Sequence, residues 1–93
     1  MSMKVKVRNM TSSRGHFVAN QFIIDTPQAT YFQSYRTIIA KTDWKSGKTF
    51  LDKDRWDYSV TTGKYRNQYL LEGIAETRKK IASGTYKLID LNK

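Results

Sequence analysis

Ninety-three residues, with 39% hydrophobic and 27% charged side chains and a formal net charge of +9, describe a single small basic domain over residues 1–93, globular rather than disordered. The lack of cysteine excludes disulfides, thiolate metal sites and cysteine nucleophiles. No apolar run approaches the roughly 20 residues of a membrane span, and the N-terminus alternates instead of forming the apolar core of a secretory signal, so the expected place of action is the cytoplasm.

Met3 to Arg8 alternates apolar and basic residues, which predicts a half-buried strand with Met3, Val5 and Val7 inward and Lys4, Lys6 and Arg8 outward. Asn9 to Gly15 is polar and reads as a loop. Phe17 to Asp25, rich in aromatic and β-branched residues, predicts a second strand that a turn at Asp25-Thr26-Pro27-Gln28 ends. Thr30 to Lys41 predicts one long third strand, with Phe32, Ile38 and Ala40 on one face and Tyr31, Tyr35 and Ile39 on the other. Asp43 to Gly47 is a hairpin loop, and Lys48 to Leu51 a short fourth strand.

After an irregular stretch from Asp52 to Tyr58 the period becomes helical, with Thr61 or Thr62 as N-cap. Leu70, Ile74, Thr77 and Ile81 share a face, Leu71 widens it, and Tyr65 and Tyr69 stand one turn apart. Glu76 and Lys80 have the spacing of a helical ion pair, Gly84 is a C-terminal cap, and Gly73 is the point at which the helix would split or kink. Thr85 to Leu91 returns to an extended segment. The expected fold is α+β: an antiparallel sheet of four to five strands with one helix, in the C-terminal half, packed on a face.

Catalysis has little to stand on. His16 is the only histidine and borders a loop, and neither phosphate-loop motif is present, so the expectation is a protein that is not an enzyme and has no cofactor. Asp52, Asp54 and Asp57 form a D-x-D-x-x-D run, but it lacks the glycine and closing glutamate of a calcium loop and has Lys53 and Arg55 interleaved, so no metal is assigned. Glu72 and Glu76 on the helix argue against a cationic membrane-surface face.

The stretches Asn20-Gln21-Phe22-Ile23-Ile24, Tyr31-Phe32-Gln33-Ser34-Tyr35 with Ile39-Ala40, and Trp56-Asp57-Tyr58-Ser59 followed by Thr61 to Gln68 carry a resemblance to a family of small uncharacterised proteins encoded mainly by bacteriophages and related mobile elements. Glu76 to Ile81, and then Gly84 to Asn92, fit the same pattern; the first fifteen residues do not. The resemblance implies a phage or mobile-element origin and action inside a bacterial host. It brings no activity, and no residue role follows from it.

The charge favours a polyanionic partner. Single-stranded nucleic-acid binders combine cationic grooves with aromatic stacking platforms. The candidate surface comprises Lys4, Lys6, Arg8, Arg14, Tyr31, Tyr35, Arg36, Lys64, Tyr65 and Arg66, the last three at a helix start whose free N–H groups also suit an anion. The leading expectation is non-catalytic nucleic-acid binding by a phage-type accessory protein. Two others stand beside it: an inhibitor of a host protein of defence or transcription, steered by its charge, and a sponge for a phosphorylated nucleotide signal. A homo-oligomer stays open, because an unprotected edge strand would pair two copies.

Overall fold

The computed structural model describes residues 5–92. Five strands run antiparallel in chain order, β1 (Lys6–Thr11), β2 (Phe17–Asp25), β3 (Ala29–Ser34), β4 (Thr37–Asp43) and β5 (Thr49–Asp52). Two helices follow, α1 (Val60–Leu70) and α2 (Ile74–Ala82), and β6 (Tyr86–Ile89) then pairs parallel to β5 at the sheet edge. The α+β class is as expected, but among the described residues the sheet has six strands and is mixed, and there are two helices instead of one.

The extra strand comes from the predicted third one, which is two. The chain reverses at Tyr35-Arg36, with Tyr35 in the left-handed region at φ 57° and its N–H donating to Asn20 O at 2.6 Å. No glycine, proline or asparagine announces this turn, and a left-handed L-residue costs about 1–2 kcal/mol. A bulge between Phe32 and Gln33 then exchanges two neighbours: Ile39 joins the core, and Ile38, paired with Gln33, faces the other way.

β1 also differs from expectation. Lys6 pairs with Asp25 and Arg8 with Ile23, so its basic residues share the side on which Ile23 is buried, while Val5 and Val7 are exposed. The residue that β1 gives to the core is Met10, which lies in the stretch that reads as a loop. Met3 and Lys4 lie outside the described residues.

The core lies between the helices and one sheet face. Ile23, Phe32, Ala40 and Leu51 form a row across β2 to β5, and Tyr65, Tyr69, Leu70 and Ile81 pack on it from the helices. Phe32 stacks on Tyr69 with ring centroids 5.8 Å apart, and the Tyr69 hydroxyl donates to Thr30 O at 3.1 Å. Burial raises the Tyr69 pKa, which keeps the phenol neutral.

The α1 N-cap is Ser59, two to three residues before the expected threonines; its hydroxyl accepts the Thr62 N–H at 3.1 Å, which frees Thr62 to hydrogen-bond Ser34 inside the core at 2.8 Å. Between the helices, Leu71 takes the left-handed position and Gly73 is the N-cap of α2, so the split includes the expected glycine.

Lys80 does not bond Glu76. It donates to Glu72 at 2.6 Å, and Glu72 also accepts from Thr77 at 2.7 Å and from Tyr86 at 3.0 Å, tying both ends of α2 to β6. Burial alone would raise the Glu72 pKa, but these three donors together hold it below the ordinary carboxylate value. A carboxyl that is more acidic when folded stabilises the protein above its unfolded pKa, and that stability is lost as pH falls through the depressed folded value. Glu72→Gln is therefore expected to lower the melting temperature near neutral pH and to flatten its decline on the acid side; an unchanged acid limb would exclude Glu72 as its source.

Candidate nucleic-acid interface

Side chains alternate across a strand, so each cross-strand row of the sheet has a counterpart facing away from the helices. The row next to the core row is Val7, Ile24, Tyr31, Lys41, Phe50 and Lys87, one residue from each strand. Among the described residues neither helix packs on this face, and Tyr31, Lys41 and Phe50 are half-buried. The Lys41 ammonium sits 5.8 Å from the centroids of both rings, a cation held between two aromatic faces. Strand spacing puts the two rings about 10 Å apart, with Lys87 one strand beyond Phe50.

Among the described residues, acidic side chains on this face stand only at strand ends. Asp43 closes β4, where the Ser46 hydroxyl donates at 2.9 Å and the Lys45 N–H at 3.2 Å; these bonds hold its carboxyl below the ordinary value. Asp52 ends β5 and is buried, accepting N–H bonds from Asp54, Arg55 and Leu91. Asp57 lies 3.2 Å from Arg66 and 3.7 Å from Arg78, so Asp52 and Asp57 of the D-x-D-x-x-D run face separate partners.

The sequence-derived candidates do not form one surface. Tyr31 lies on the open face. Tyr35 and Arg36 are exposed in the β3–β4 turn, and Arg14 is exposed in the β1–β2 loop. Lys6 and Arg8 extend on the helix side of β1, where Arg8 pairs with Asp25 at 2.6 Å. Lys64 is exposed on α1, 5.5 Å from the ring of Tyr65, itself buried in the core. Lys4 lies outside the described residues.

Arg66 corrects the sequence reading. It is 1% exposed, and its guanidinium donates to Trp56 O at 2.8 Å, Asp57 Oδ1 at 3.2 Å and Asn67 Oδ1 at 3.0 Å while stacking on the Trp56 ring at 5.3 Å. A guanidinium so enclosed holds the loop from Trp56 to Ser59 against α1 and offers a polymer nothing. The reason is spacing: Arg66 lies two turns inside a helix that starts at Val60, on the same side as Thr62 and Tyr65.

Lys41, Phe50 and Lys87 were missed from sequence, although two of them were within reach. A hairpin closed by Asp43 and Lys48 pairs Thr42 with Thr49 and hence Lys41 with Phe50. Lys87 had no such signal, because β6 reaches β5 only through the two helices.

The family DUF8033, described as a family of unknown function, matches residues 5–85, from the threshold of β1 to the residue before β6. A search of curated proteins and a search of solved structures each found no match. Among the described residues no helix is long and apolar enough to cross a membrane.

Proposed function

The chain belongs to DUF8033, a family of unknown function, and on its own geometry we propose that it is a non-catalytic protein that binds nucleic acid through the sheet face opposite its helices. The observation that carries this reading is the row Tyr31, Lys41, Phe50 and Lys87, which alternates ring and cation on an uncovered surface. Lysines there neutralise phosphates with release of counterions, and the rings supply stacking surfaces. The net charge of +9 steers a polyanion to the molecule. The resemblance to phage and mobile-element proteins supports a setting in the cytoplasm of a bacterial host.

Fluorescence anisotropy with a labelled mixed-sequence DNA, titrated across salt, tests the proposal. Micromolar binding that persists near physiological salt is expected. Lys41→Ala should weaken it several-fold and reduce the log–log salt slope by about 0.7–0.9, one phosphate contact. Binding that disappears by about 150 mM salt, or an unchanged slope in Lys41→Ala, would refute this interface.

One observation favours a second reading, an inhibitor of a host protein. Val60 is 92% and Leu71 89% exposed at the two ends of α1, about three turns apart, with Lys64 between them. An exposed apolar pair of this kind suits a protein partner. Co-purification of one host protein with the wild type, lost in Val60→Glu, would favour this reading.

A further inference from the structure

We infer that the open face takes single-stranded nucleic acid in particular, with bases on Tyr31 and Phe50 and backbone beside Lys41 and Lys87, the strand running across the sheet from β3 towards β6. This rests on the nucleic-acid reading and narrows it. A base stacks on a side-chain ring only when its own face is free, and a duplex keeps those faces inside its stack. Sequence reading in a duplex needs a helix or two-stranded ribbon that enters a groove. Here the face is the broad surface of a six-stranded sheet, and both helices lie behind it. Against a duplex only the lysines would be used, and the two rings would be pressed on sugar and phosphate.

The same row argues against a second copy of this chain as the occupant. Face-to-face packing of two such sheets would bring the Lys41 and Lys87 sets of both copies into one interface, and juxtaposed like charges cost affinity. It also fixes the half of the face that is used. Val7 and Ile24, at the β1–β2 end, carry no charge, so the ring–cation alternation is confined to β3 through β6.

The test compares a labelled mixed-sequence 15-mer as single-stranded DNA, as RNA of the same sequence and as a blunt duplex, by anisotropy at 100 and 200 mM KCl, with sedimentation velocity of the free protein. Single strands are expected to bind at least tenfold more tightly than the duplex. Tyr31→Leu and Phe50→Leu should each weaken single-strand binding about tenfold, and Tyr31→Phe should retain it. Leucine keeps apolar bulk at these half-buried positions, and the exposed Lys87→Gln supplies a variant with no folding burden; its salt slope should fall by about 0.7 on single strands. Duplex binding as tight as single-strand binding, insensitive to Tyr31→Leu, would overturn this inference and leave the nucleic-acid reading standing. Failure of all three polymers to bind at physiological salt would overturn both. A concentration-dependent dimer broken by Phe50→Leu would give the face to a second copy and overturn both as well.

Discussion

Phe32→Ala is expected to destabilise the protein by about 3–5 kcal/mol, read as a lowered urea midpoint with little change in slope. Phe32 has no exposed surface and occupies the middle of the core row, between Ile23 and Ala40. Its loss opens a cavity beneath α1 and removes the stack that holds Tyr69, whose hydroxyl also bridges to Thr42 at 2.9 Å and Thr30. The remaining neighbours are short or fixed in strands and collapse poorly into the gap. Since domains have only about 5–15 kcal/mol of stability in all, the variant should be partly unfolded at 37 °C, and Phe32→Leu should recover most of the loss. A cost below about 1 kcal/mol would mean that this row is not the centre of the core.

Arg66→Ala is the second large effect, about 2–4 kcal/mol, and its origin is polar as much as steric. The substitution leaves the Trp56 carbonyl and the Asn67 side chain without their donor and strips the Trp56 ring of its stacked cation. Arg66→Lys should not restore stability, because an ammonium lacks the planar fork that reaches three acceptors and lies flat on an indole. The decisive comparison is between stability and binding. Substitutions at Arg66 should move the urea midpoint and leave the salt slope of nucleic-acid binding unchanged, whereas the exposed Lys87→Gln should do the reverse. An altered slope in a folded Arg66 variant would return this residue to the proposed binding surface.

How far the sequence predicts the molecule depends on the range of the interaction concerned. β2, the loop from Asp43 to Gly47 and the helical period from the sixties onward are local properties and were all legible. The Tyr35 turn was not, because the sheet holds a bulky residue in a conformation that its own chemistry disfavours. The inversion of β1 was hidden for a different reason: alternation tells that two faces differ, but only the pairing with Ile23 and Asp25 tells which one meets the core. At the candidate site, Tyr31 was found as an aromatic on a strand. Its companions required knowledge of which strands are neighbours, and Arg66 required knowledge of where the helix begins. Charge and residue type do not say which positions share a face; register does.

The parallel pairing of β5 with β6 has a consequence for the chain as it is made. Synthesis proceeds from the N-terminus, and the hairpins β1 to β5 emerge before anything that covers them. Until α1 and α2 have left the ribosome, the apolar face that they will cover is bare, and the strand that pairs with β5 at the sheet edge follows both helices. The interval between completion of Asp52 and arrival of Tyr86 is thus the period of greatest exposure to aggregation. An amino-terminal fragment ending there should need a chaperone that the finished protein does not.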